Sequence, residues 1–257
     1  MMKKLIRYHL IWDAKLPAYY AAFALVSVLI NRLTALRSEV VIWNVISKIF
    51  FGVAISMAVS TVINTLIRCW IRFTRTSYKD ESYLYHTLPV PRATLYRSHV
   101  ISSLLCVAAS VVFAALCLVL LMVGTDAWTA IRSVFAGAFD ARNLILMIAL
   151  IFIELIFLSV CGTVGTIFGY SFDGARTLKS VLFAVLFYQG AGLVALPLVF
   201  LLGLTDPEIR ALFGVNSTVL PASLWKITLP LAIFYLAVCA ILLWVGKKRY
   251  LKKINVD

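Results

Sequence analysis

The stretch Val100–Thr125, VISSLLCVAASVVFAALCLVLLMVGT, runs for 26 residues without a charged side chain. About 20 apolar residues in a helix cross the hydrocarbon core of a bilayer, so this run predicts a membrane span. Five further uncharged runs lie around it: Leu16–Asn31, Ile49–Ile67, Leu144–Phe172 (broken only by Glu154), Ser180–Thr205 and Ile227–Gly246. They are continuous rather than alternating, which favours helices over barrel strands. Lys15 and Arg32 flank the shortest run, where their stems can reach outward to the membrane surface. The composition agrees. Of the 257 residues 63% are hydrophobic and 14% charged, against about 45–50% and about 25% in soluble domains, and the mean hydropathy is +0.98. A soluble enzyme is excluded. The reading is an all-α polytopic protein of six transmembrane helices, a single membrane domain over residues 1–257.

Lysine and arginine set the expected orientation. The N-terminus, Arg68–His99, Ser171–Lys179 and the C-terminal tail together carry 17 of the 24 basic residues. That side is predicted to be cytoplasmic, with both termini on it. The net charge of +13 falls almost wholly there, where anionic inner-leaflet lipids account for it. Lys247-Lys248-Arg249 with Lys252-Lys253 reads as a stop-transfer anchor, and no nucleic-acid role is expected. Residues 1–15 place Leu5, His9 and Trp12 at helical spacing beside Lys3, Lys4 and Arg7, which predicts an interfacial helix feeding the first span. The early His9, Asp13 and Lys15 interrupt any cleavable signal sequence. Cys69, Cys106, Cys117, Cys161 and Cys239 lie in or beside apolar runs with no CxxC, so they read as small buried hydrophobes.

The connection 68–99 is more than polar filler. Its centre reads Ser77-Tyr78-Lys79-Asp80-Glu81-Ser82-Tyr83-Leu84-Tyr85-His86-Thr87-Leu88-Pro89-Val90-Pro91-Arg92. Ser77 with Asp80 makes a weak capping-box pattern, and Asp80 and Glu81 suit the positive end of a helix starting there. Leu84 and Leu88 share a face. Pro89 ends the helix, and Pro91 can open the next at its first position. A short bounded helix near the membrane surface, suited to docking a partner, is the physical expectation.

Asp80-Glu81-Ser82-Tyr83-Leu84 followed by Thr87-Leu88-Pro89-Val90 and Arg92 resembles the Asp-Glu-Gly-Tyr-Leu … Thr-Leu-Pro-Val-Ser-Arg pattern of bacterial type-2 ATP-binding-cassette (ABC) permeases, in particular the branch common in Gram-positive bacteria. The motif spans about thirteen residues; the six-span topology and the leader extend the likeness along the chain. Ser82 replaces the glycine and Pro91 the serine, which leaves the acidic start and the Thr-Leu-Pro-Val end in place. The resemblance implies a permease subunit of an ABC exporter in a bacterial plasma membrane. It implies a coupling role for Asp80, Glu81, Tyr83, Leu84, His86, Thr87, Leu88, Pro89 and Val90, which would seat in a cleft of a separate ATPase subunit. That subunit would bind ATP and Mg, this chain binding no cofactor. A second permease chain, identical or homologous, would complete the pathway, and residues 205–226 would form short, partly re-entrant helices closing its outer end.

No catalytic residues are expected in this chain. Gly169 and Gly174 have the spacing of a phosphate-binding loop but are followed by Ala175-Arg176, not Lys-Ser/Thr. His9, His86 and His99 are scattered in the sequence with no metal spacing. Within the spans, Glu154 is costly as an ion; it either lines a substrate or proton path or is a protonated group hydrogen-bonded to a neighbouring helix. Gly162, Gly165 and Gly169 permit close helix approach. Gln189, Gly190 and Gly192 point to a bend or a polar lining. Asp206 before Pro207 and Glu208 reads as an N-cap and first turn, Gly214 as a stop, and Leu212, Phe213, Val219, Leu220 and Trp225 as the apolar side of the outer stretch. Two rival functions stay open: an ion-coupled secondary transporter using Glu154, and a non-transporting membrane immunity or scaffold protein.

Overall fold

The computed structural model describes residues 2–37, 39–79, 81–123, 129, 141–212 and 224–252. Its helices are α1 (Met2–Ala35), α2 (Val41–Tyr78), α3 (Ser82–His86), α4 (Arg92–Met122), α5 (Ala141–Gly169), α6 (Arg176–Thr205), α7 (Pro207–Leu212) and α8 (Trp225–Lys252). Six of them, α1, α2, α4, α5, α6 and α8, are long and apolar enough to cross a membrane, and no strand occurs among the described residues. The chain is an all-α, multi-pass membrane protein. Its contacts divide into two compact units, Met1–Trp128 and Thr129–Asp257.

In the first unit α1, α2 and α4 pack on one another, with α3 against α2. Small side chains bring the backbones close: Ala24, Ala54, Ala58 and Cys117 are fully buried, with Val28 and Leu121 filling between them. Two polar ties hold the end of α1. The Asn31 amide donates to the Ser47 carbonyl at 2.7 Å, and Arg32 Nε donates to the Leu120 carbonyl at 2.8 Å, satisfying a carbonyl in the last turn of α4. The leader does not break from the span that follows it. Residues 2–15 continue into the span through Pro17 without a break, and His9 and Asp13 are buried in the unit.

Nor does α2 stop where its apolar run stops. It is 38 residues long, about 57 Å at 1.5 Å per residue, nearly twice the hydrocarbon thickness of about 30 Å. Arg68, Arg72 and Arg75 belong to this helix, since arginine is a good helix former and each long stem can lie along the packed surface.

In the second unit α5 lies against both α6 and α8, burying Phe157, Val160, Cys161, Val164 and Ile167. A Cβ on Gly165 would come within 2.6 Å of the Ala184 backbone nitrogen, and one on Gly169 would overlap the Ser180 backbone. Gly162 is buried one turn earlier. The α5–α6 turn passes through two successive left-handed residues, Gly174 (φ 69°) and Ala175 (φ 45°). Helix α6 runs unbroken past Gln189, Gly190 and Gly192, and Gln189 is exposed within its unit. All five cysteines are buried and free.

Candidate functional site

Helix α3 projects between the ends of α2 and α4 and is tied down by three side chains. Glu81, its N-cap residue, turns its carboxylate to Arg72, 3.1 Å away. Tyr85 is buried, and its hydroxyl meets His9 Nε2 at 3.1 Å and donates to the Leu95 carbonyl at 3.3 Å. His86 Nε2 lies 3.3 Å from the Ser77 carbonyl. Burial holds the His86 imidazole below its usual value, against the pull of that carbonyl, and the Arg92 charge adds to the lowering.

The opposite side of the knob is open. Tyr83 is 69% exposed, Leu84 70% and Leu88 39%, and Thr87 and Pro89 are also exposed. Helix periodicity explains the division: positions 81 and 85 are one turn apart and face the unit, while 83, 84, 87 and 88 share the outer arc. Thr87 caps the C-terminus with its backbone N–H on the Tyr83 carbonyl, and a tight turn from Val90 N–H to the Leu88 carbonyl (2.7 Å) leads through Pro91 into α4.

The boundaries differ slightly from expectation. Ser77 lies inside α2, so no capping box starts the knob; Pro91 is the N-cap of α4 rather than its first residue. Glu81 turns its carboxylate toward Arg72 while its side chain stays 38% exposed. Asp80 lies outside the described residues.

Beneath α3 sits a polar node that the sequence does not announce. Arg72, 4% exposed, has its guanidinium 4.5 Å from the Trp12 ring centre and 5.1 Å from that of Tyr8, as well as the Glu81 carboxylate. Arg68 has its guanidinium 5.6 Å from the same Trp12 ring centre. His9 and His99, ninety residues apart in the chain, meet edge to face with centroids 5.1 Å apart, and Phe73 packs on His99 at 4.8 Å. Asp13 borders a cavity of about 10 Å³ with Trp12, Arg68, Ile71, Arg72 and Arg75. His9 and His99 are therefore neighbours in space. Among the described residues no group of three or more His, Cys, Asp or Glu is placed to hold a metal. The one sequence signal for the node is the i, i+4 pair His9 and Asp13 on an otherwise membrane-seeking helix, repeated by Arg68 and Arg72 on α2.

The second unit holds the other candidate. Tyr188 donates to Glu154 Oε1 at 2.8 Å, joining α5 to α6. Phe157 stacks on Tyr188 at 5.9 Å and packs against Tyr235 of α8 at 5.2 Å. Glu154 is thus hydrogen-bonded to a neighbouring helix. At the far end of this unit Asp206 pairs with Lys226 at 2.6 Å, Arg210 Nη2 donates to the Leu204 carbonyl at 2.9 Å, and Trp225 N–H donates to Asn143 Oδ1 at 3.1 Å. These contacts tie α7 to the end of α6, the α6–α7 junction to α8, and the start of α8 to α5. Gly214, Phe213, Val219 and Leu220 lie outside the described residues.

No protein-family model matches this chain, and no curated protein or solved structure does either.

Proposed function

We propose that the chain is the membrane-spanning permease subunit of a bacterial ABC exporter, with α3 as the coupling helix that seats on a separate ATPase subunit. One observation carries the reading: a five-residue helix anchored from within by Glu81, Tyr85 and His86 presents Tyr83, Leu84 and Leu88 outward. Leaving these apolar side chains in water has a cost, roughly 25 cal/mol per Å² of apolar surface, that docking would relieve. The anchors make the knob stiff enough to carry a push. A force on α3 passes through Tyr85 to α1 and α4 and through Glu81 to α2, so three spans move with it.

In this reading ATP and Mg are bound by the ATPase, whose closure on ATP moves the knob, and a second permease chain supplies the other half of the pathway. Both termini and α3 face the cytoplasm. The test is recovery of the detergent-solubilised full chain from its native membrane, with mass spectrometry of what accompanies it. A stoichiometric protein carrying Gly-x-x-x-x-Gly-Lys-Ser/Thr and no transmembrane segment is the expected companion. Its absence, with transport persisting in ATP-depleted vesicles and lost in Glu154→Gln, would favour an ion-coupled carrier built on the Glu154–Tyr188 pair.

A further inference from the structure

At one end of the second unit, α8 and α5 line an open cavity of about 340 Å³ bordered by Phe168, Val245, Lys248, Arg249 and Lys252. Its size is within the range of about 300–1,000 Å³ common to small-molecule sites. Val245, Lys248, Arg249 and Lys252 are spaced i, i+3, i+4 and i+7, so one face of α8 supplies them all. Cations near a helix C-terminus normally serve the exposed carbonyls there, but Arg249 is turned away to α5. Its guanidinium lies 4.3 Å from the Phe168 ring centre and 5.3 Å from that of Phe172. Its Nε donates to Ser171 Oγ at 3.1 Å, and that hydroxyl is itself held by donating to the Ile167 carbonyl at 2.7 Å. Nε is therefore committed and the group is flanked by two rings, while the Nη edge, the fork that grips phosphate in a bidentate way, is unengaged among the described residues. Lys248, Arg249 and Lys252 have no carboxylate within ion-pair distance among those residues.

The depth of this cavity is marked independently. Trp244, 63% exposed, has the Lys248 ammonium 5.1 Å from its ring centre; an exposed Trp beside a Lys at the end of an apolar helix belongs at the level of the lipid headgroups. We infer that this cavity holds the phosphate of an anionic phospholipid, gripped by Arg249, Lys248 and Lys252, with the start of an acyl chain against Phe168 and Val245. The site requires only that the chain sit in a membrane, so it stands apart from the permease reading.

The full-length protein, purified in neutral detergent, is titrated with phosphatidylglycerol or phosphatidylcholine, and bound lipid is counted by native mass spectrometry. The expected result is saturable retention of phosphatidylglycerol, little of phosphatidylcholine, and no displacement by inorganic phosphate at millimolar concentration. Arg249→Gln and Lys248→Gln should each weaken retention at least about fivefold, as the loss of one cation at a membrane surface implies. Lys4→Gln, which removes the same charge elsewhere, should leave it unchanged. Lys248 is exposed, so its variant keeps the test open if Arg249→Gln fails to fold. Equal retention in Lys248→Gln and Lys4→Gln, or displacement by free phosphate, would overturn the assignment.

Discussion

Tyr85 carries more of the α3 geometry than any neighbour, because one hydroxyl serves His9 and the Leu95 carbonyl. Tyr85→Phe keeps the ring and strands both partners. An unmade buried hydrogen bond costs about 1–3 kcal/mol. The expected outcome is a lower thermal midpoint in detergent and faster proteolysis between 79 and 91; unchanged protection would show that the ring alone holds the knob. His86 adds a pH dependence. Its folded value lies below the usual one near 6.5, so the unfolded segment binds protons more readily, and the neutral ring's contribution is fully present above about pH 6.5 and lost as pH falls through the folded value. Hydrogen-exchange protection of residues 83–87, corrected for intrinsic rates, should hold above about pH 6.5 and drop as the pH falls below it. In the second unit, Glu154→Gln keeps an acceptor for Tyr188, whereas Glu154→Leu removes it. The Leu variant should lose about 0.6–1.7 kcal/mol, the usual worth of a hydrogen bond between membrane helices, and the Gln variant less. Equal losses would mean the carboxylate acts through its charge.

At the level of helices, the glycines divide into two kinds. Gly165→Ala and Gly169→Ala would press a methyl into the α6 backbone, and overpacking of this sort costs about 1–3 kcal/mol. Gly190→Ala and Gly192→Ala meet nothing within 4 Å and should be neutral or stabilising by up to about 1 kcal/mol. Thermal midpoints of the four variants check this; a uniform response would contradict the close α5–α6 approach. The Gly-x-x-x-Gly spacing is visible in sequence because its meaning is local to one helix. The same holds for the six apolar runs and for the short helix before Pro89. The end of α2 was not legible, since the charges at Arg68 and Arg72 end the apolar run without ending the helix. The node of His9, Arg72, Tyr85 and His99 was hidden for a related reason. Periodicity shows which face of a helix is distinctive, but not which faces of α1, α2 and α4 will meet across up to ninety residues of chain.

For the whole molecule, the 17 basic residues gathered on one set of connections predict both termini on the cytoplasmic side. Cysteines introduced near Arg37, Ala136 and Asn216 should label from outside intact cells, and one at position 250 should not; the reverse pattern would invert the topology. The central claim is that α3 transmits the work of an ATPase, and its outward face gives the most direct test. Leu84 is mostly exposed, so Leu84→Asp should alter stability by less than about 0.5 kcal/mol while placing a charge in the docking surface. The decisive measurement is substrate-stimulated ATP hydrolysis by the co-purified complex reconstituted in vesicles. The account predicts normal abundance and insertion of the Leu84→Asp chain, with the ATPase dissociated or hydrolysing ATP without moving substrate. A Leu84→Asp complex that stays assembled and retains full substrate-stimulated hydrolysis and transport would contradict it, leaving α3 as a connector between two spans.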